Sequence, residues 1–176
     1  DLIQSLFVEG DMGSEYSTYL TFSYYSAYGV SDDDPDAINI LHYTTSIEDY
    51  GDDLYDELSQ YPSGTQINFV AHSMGGIITR QMLMDHSTQL ESSGIDIGTV
   101  ITMGTPNDGT CLADPLNSWS LIMSLIGGYI GDNGNLWPSP VFWSLAPHSQ
   151  LIDNLNDDPS SYSDGIRWYT GAGIDP

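Results

Sequence analysis

Lysine is absent from this 176-residue chain, and arginine occurs only as Arg80 and Arg167, against 25 aspartates and glutamates. The formal net charge is -23. Two cations cannot neutralise a phosphate track, so the sequence argues against direct binding to nucleic acid or to an anionic membrane. Cys111 is the only cysteine. That excludes an intrachain disulfide and leaves the compartment unread by redox chemistry. No apolar window of the roughly 18 residues needed to cross a bilayer exists. The longest candidate, Leu121 to Ile130, is interrupted by Ser124, Gly127 and Gly128, so no transmembrane segment is expected. Neither a starting Met nor a signal peptide precedes Asp1, which reads as the start of a processed product or a fragment.

What is present is enough for a core. Hydrophobic residues make up 40% and aromatics 11%, including 4 Trp and 12 Tyr, more apolar surface than a disordered acidic chain carries. One domain over residues 1–176, or one piece of one, is expected. The carboxylate excess reads as adaptation to concentrated salt: at about 1 M ionic strength the Debye length falls to roughly 3 Å and mutual repulsion is screened. On that reading the protein is secreted or cytoplasmic in a high-salt organism; the sequence does not choose between them, and it does not set an oligomeric state.

Along the chain, Leu2, Ile3, Leu6 and Phe7 recur at helical spacing and stop at Gly10, and Tyr19 to Tyr25 is a β-rich run. Asp32 to Asp36 reads as a solvated acidic turn rather than a calcium loop. Ser46 is placed to cap a helix with Asp49 three residues on. Ile47, Tyr50, Leu54, Leu58 and Tyr61 form its apolar stripe, and Pro62 and Gly64 end it. Gln66 to Val70 predicts a strand, Ile77 to His86 a helix, Val100 to Met103 a strand and Ile166 to Thr170 a last strand. Such alternation predicts an α/β fold with βαβ units and a mainly parallel sheet. The rhythm is lost between about Asn107 and Pro159, which holds Trp119, Trp137 and Trp143 and reads as a helical, lid-like insertion. Each of those tryptophans fits a substrate lid or the core of an ordinary insertion equally well.

The segment Ala71-His72-Ser73-Met74-Gly75-Gly76 sits where the strand passes into the helix. A serine hydroxyl is a poor nucleophile unless it is exposed, aligned with a base and placed beside donors for the developing oxyanion. A tight strand-to-helix turn supplies that arrangement, with the dipole of the helix N-terminus and the Met74 N–H directed at the oxyanion. Small residues are expected two positions either side of the serine, where backbones approach; here they are Ala71 and Gly75, with Gly76 behind. Ala71 departs from the Gly-x-Ser-x-Gly form.

These residues, with Phe69, Val70 and Arg80, resemble the lipase and esterase branch of the α/β-hydrolases whose elbow is Ala-His-Ser-Met-Gly. Ser46 to Tyr50 resembles the helix before the nucleophile strand. Met103 to Thr110 resembles the Gly-Thr-Pro-x-x-Gly-Thr turn, and Leu145 to Asn156 the return from the lid region. The resemblance implies a three-layer sandwich of α/β-hydrolase type in which Ser73 attacks a carboxylic ester and Met74 stabilises the oxyanion. It implies no metal or organic cofactor, and the apolar insertion favours a lipid-like acyl ester as substrate.

The resemblance also places an acid after a late strand and a histidine after the final one. Asp175 lies where that acid is expected, an Asp further along than Pro176 being the alternative, and no histidine follows it in this sequence. His72 lies where the family has a histidine without a base role; His42 and His86 read as surface or packing residues. His148 falls where relatives usually carry glycine and is a weak candidate base. Leu2 to Gly10 resembles the first helix after the family's early strand, which puts that strand and its oxyanion loop before Asp1. The chain therefore reads as the central, incomplete portion of a longer hydrolase. Two alternatives stay open: acyl transfer or thioester cleavage on the same elbow, and a non-catalytic hydrolase-like binding protein that lacks the base.

Overall fold

The computed structural model describes Leu20, Phe22 and residues 46–110 and 140–171. The expected N-terminal helix, most of the Tyr19 to Tyr25 run, the acidic turn at Asp32, His42, Cys111, Trp119, Trp137 and Asp175 lie outside the described residues.

The first described helix, α1 (Ile47–Leu58), starts where Ser46 predicts. The Ser46 hydroxyl accepts from the Asp49 N–H at 3.1 Å, and the Asp49 carboxylate accepts from the Ser46 N–H at 2.8 Å. This reciprocal pair satisfies two of the helix's orphan donors and contributes about 1 kcal/mol. The predicted stripe is the buried face: Ile47, Tyr50, Leu54 and Leu58 are all inside the core. Each such side chain contributes on the order of 1.5–3 kcal/mol through burial. The helix closes at Leu58, ahead of Pro62 and Gly64.

Strand β1 (Gln66–His72) leads into helix α2 (Met74–Ser93), and strand β2 (Asp96–Met103) follows. Helices α3 (Pro140–Ser144), α4 (Gln150–Asp157) and α5 (Ser160–Ser163) precede strand β3 (Arg167–Gly171). The sheet of the described residues is parallel throughout, in the order β1-β2-β3. This is the α/β architecture expected of βαβ units, and it matches part of an α/β-hydrolase-like fold.

Three elements are longer than their sequence patterns, β1 by the two residues from Ala71 to His72. Helix α2 opens at Met74 and ends at Gly94, whose φ of 80° gives the left-handed cap that glycine adopts without strain. Its residues from Gly76 to Leu83 are all buried, so this stretch has no solvent face and shows no clean amphipathic stripe. Gly51 of α1 makes the close crossing of α1 and α2 possible, since a Cβ there would lie 3.2 Å from the Met82 nitrogen. Strand β2 begins at Asp96 and passes a register shift opposite Ile67 and Asn68 before it reaches the predicted Val100 to Met103 run.

Aligned pairs in the parallel ladder share a face. Phe69, Val100 and Trp168 form one row and Ala71, Thr102 and Thr170 the next. Val100 and Thr102 are buried, and Ile77, Ile78, Met82 and Leu83 of α2 belong to the same core. Ser73 stands at the C-terminal end of β1, the end of a parallel sheet at which ligands bind in open α/β folds.

Candidate functional site

With β1 ending at His72 and α2 starting at Met74, one residue turns the chain. Ser73 does so with φ 53° and ψ -129°. A side chain at positive φ crowds its own backbone, a strain of roughly 1–3 kcal/mol that persists only where neighbours hold it. Here the Ser73 N–H donates to the Met103 carbonyl at 2.9 Å, and the Ser73 carbonyl accepts from the Gly76 N–H at 3.1 Å. Among the described residues, His148 is the only other non-glycine residue with positive φ.

A serine just ahead of a helix ordinarily turns its hydroxyl back to cap the first turn. Ser46 caps α1 and Ser149 caps α4 in this way, whereas the Ser73 side chain makes no capping bond to α2. Ser73 is exposed, with its hydroxyl left uncommitted to the helix. Met74 opens α2, so its N–H has no partner within the helix and lies at the positive end of the helix dipole. The junction thus offers an exposed hydroxyl beside an uncommitted backbone donor.

The close approach expected at Gly75 occurs one residue later. Among the described residues nothing lies within 4 Å of a Cβ built on Gly75. A Cβ on Gly76 would lie 2.2 Å from Thr105 Oγ1 and 2.6 Å from Thr105 Cγ2. Thr105 belongs to the Gly-Thr-Pro turn after β2, so the turn seats directly on the first turn of α2. Its own hydroxyl is buried with no hydrogen-bond partner. Gly109, four residues on, has φ 79° and would clash with Pro147 at 2.7 Å if it carried a Cβ. Nearby, the Thr110 N–H donates to the Leu145 carbonyl at 2.8 Å. The Gly-Thr-Pro turn and the Leu145 to Ser149 segment, separate in sequence, therefore pack as one unit beside the elbow.

Arg80 fastens that unit to α2. It is 6% exposed, and its partners are all neutral. Nη2 donates to the Leu155 carbonyl at 2.8 Å and to Asn156 Oδ1 at 2.6 Å, and Nη1 donates to Asn107 Oδ1 at 3.1 Å. The Tyr162 hydroxyl accepts from Nε and Nη2 and itself donates to the Leu155 carbonyl. One guanidinium thereby ties α2 to the turn after β2, to α4 and to α5. In sequence Arg80 lies seven residues past Ser73, and nothing local to it names this role. The available signal was a cation inside a run of core residues.

The described histidines stand apart from Ser73 in their contacts. His72 is exposed at the end of β1 and lies beside Gly104. His86 stacks on Tyr55 with ring centroids 4.2 Å apart and bonds Asp52 at 2.6 Å, a packing role between α1 and α2. His148 has φ 59° and an outward side chain with Nδ1 3.5 Å from Asp153 Oδ1. Its left-handed backbone is what the glycine-like position implies. Among the described residues no three His, Cys, Asp or Glu side chains gather into a group able to hold a metal ion, and no helix is long and apolar enough to cross a membrane.

A family model described as a domain of unknown function, DUF7379, matches residues 33–132. No match is found among curated proteins. Solved structures share the fold at low identity. The lipase BlEst2 of Bacillus licheniformis, in its mature form, superposes with a TM-score of 0.51 and 22% identity. That match covers 72% of this chain and 47% of the lipase. The phospholipase PlaB of Legionella pneumophila superposes with a TM-score of 0.57 and 18% identity. It covers 97% of this chain and 34% of the phospholipase. The chain thus spans less than half the length of either protein.

Proposed function

We propose that this chain, which belongs to the DUF7379 family, is a serine hydrolase that cleaves carboxylic esters of acyl lipids through an acyl-enzyme on Ser73. The observation that carries this reading is the backbone of Ser73: a serine held at φ 53° between a strand and a helix, exposed and withdrawn from capping. Strain of this kind clusters where function requires it. The lipid-like substrate is supported more coarsely, by an architecture shared with a lipase and a phospholipase and by the apolar stretch between Asn107 and Pro159.

In the proposed reaction Ser73 Oγ attacks the ester carbonyl carbon while an imidazole takes its proton. The Met74 N–H donates to the oxyanion, and the tetrahedral adduct collapses as the imidazole returns the proton to the departing alcohol. Water, deprotonated by the same base, then cleaves the acyl-serine and releases the carboxylate. Asp175 is the proposed acid that orients the imidazole. None of the described histidines is joined to Ser73 by a hydrogen bond.

A fluorophosphonate probe tests the nucleophile. Under folded, high-salt conditions it labels the intact protein and leaves a Ser73→Ala variant of unchanged melting temperature unlabelled. Absence of labelling in the native chain would sink the enzyme reading and leave a hydrolase-like binding protein. Turnover of matched oxygen esters, thioesters and acyl acceptors then separates hydrolysis from transfer.

A further inference from the structure

Between α2, α5 and strands β2 and β3 lies a cleft of about 330 Å³ whose chemistry the ester-hydrolase reading does not use. Arg80, Tyr162, Trp168 and the pair Thr102 and Thr170 contribute to its wall, and none of its described lining residues is an aspartate or glutamate. In a chain of 25 carboxylates this is a locally cationic place. The Arg80 guanidinium is buried, and among the described residues every partner it has is a neutral oxygen, so its charge is solvated by dipoles and paired with no described carboxylate.

A count of hydrogen-bond donors points the same way. The guanidinium hydrogens are directed at Asn107, Leu155, Asn156 and Tyr162, and the Tyr162 hydroxyl hydrogen goes to Leu155. Trp168 Nε1, by contrast, is buried with no hydrogen-bond partner. Thr102 Oγ1 and Thr170 Oγ1 are 3.2 Å apart. Whichever of them donates to the other, one hydroxyl hydrogen is left over. The cleft therefore combines a buried cation with one buried donor in surplus, Trp168 Nε1, and with an exposed hydroxyl at Thr170 that is free to donate; buried donors without acceptors are rare unless something binds them.

We propose that this cleft binds a small monovalent anion, a carboxylate or a halide, through the Trp168 Nε1–H and the Thr102–Thr170 hydroxyl pair in the field of Arg80. The proposal does not depend on Ser73 being a nucleophile. The net charge of -23 repels anions in dilute buffer, so the site fills when added salt screens that field.

The test is a titration of the full chain with sodium chloride, sodium acetate or sodium butyrate, followed by calorimetry and tryptophan fluorescence. Ionic strength is held at about 1 M with sodium sulfate, which separates site binding from general screening. Saturable binding with half-saturation at about 1–10 mM is expected for at least one of the three. Trp168→Phe keeps the ring and removes the donor, and Thr170→Ala alters an exposed position; each weakens binding about tenfold, as the loss of a charge-assisted hydrogen bond implies. A gain from acetate to butyrate identifies an organic acid seated along Trp168 and Pro159. Equal binding of chloride and acetate identifies a site for the charged head alone. The proposal is overturned if none of the three anions saturates, or if both folded variants bind as the native protein does.

Discussion

Replacing Gly76 by alanine adds one methyl group in the first turn of α2, where helix propensity alone would make the change favourable by up to about 1 kcal/mol. The structure predicts the opposite. The new Cβ would stand 2.2 Å from Thr105 Oγ1, 2.6 Å from Cγ2 and 2.9 Å from Cβ. Rotating the Thr105 side chain exchanges the first two atoms but leaves the third in place, so relief requires the Gly-Thr-Pro turn to lift from α2. Overpacking of this kind costs about 1–3 kcal/mol, and the upper part of that range applies because three atoms are involved. After the propensity gain the net loss is about 2 kcal/mol, or roughly 4–8 °C in melting temperature for a domain of this size.

Thr105→Ala supplies the control. It removes the two closest atoms, and the hydroxyl it deletes is buried with no partner, so the single change is near neutral. The double variant should then recover most of the stability lost in Gly76→Ala, with a coupling of about 1–2 kcal/mol. Urea unfolding of the four proteins, followed by circular dichroism at constant high salt, measures it. If Gly76→Ala is neutral or stabilising, or if the two changes add without coupling, the contact between the turn and α2 is not what the structure shows.

Two further perturbations act on the same packing and on the surface charge. Arg80→Met retains the apolar length but leaves the Asn107 and Asn156 amide oxygens without their donor, while the Leu155 and Asn107 carbonyls keep only the bonds from Tyr162 and Asn156. A loss of about 2–4 kcal/mol is expected by denaturant unfolding, the cost of leaving buried neutral acceptors unsatisfied, with Arg80→Lys intermediate because an ammonium supplies three donors in place of five. The carboxylate excess predicts loss of secondary structure as salt falls from about 1 M to dilute buffer, where the Debye length lengthens several-fold. An unchanged circular dichroism spectrum across that range would count against adaptation to salt.

What the sequence made legible was local chemistry. Ser46 and Asp49 lie three residues apart, and the bonds they make are with each other, so the start of α1 needed no tertiary information. Likewise the stripe from Ile47 to Leu58 is a property of one helix against one core. The start of α2 was not legible in that way. Gly75 and Gly76 are poor helix formers, and they are helical because Thr105 and the Met103 carbonyl anchor the junction from elsewhere in the chain. The far end was hidden for the opposite reason: Ser87 to Ser93 carries little apolar pattern, and Leu90 is the residue that buries it. His148 lay between these cases. Its glycine-like place is visible by resemblance, but the φ of 59° that makes glycine the easier choice arises only in the folded chain.

The elbow depends on this division between local and distant information. A five-residue pattern around a serine cannot by itself hold φ at 53°, because an isolated strand-to-helix turn would relax into a capped helix start, as at Ser46 and Ser149. Three distant contacts prevent that relaxation. The Met103 carbonyl holds the Ser73 N–H, Thr105 fills the space above Gly76, and Arg80 locks the turn after β2 and helices α4 and α5 to the same face of α2. The first two act directly on the junction, while Arg80 acts two turns along the helix through the elements it gathers. Loosening Arg80 should therefore release the Gly-Thr-Pro turn first and the Ser73 conformation second. A folded Arg80→Lys protein is expected to lose fluorophosphonate labelling rate before it loses helix content, whereas a purely structural arginine would let both fall together.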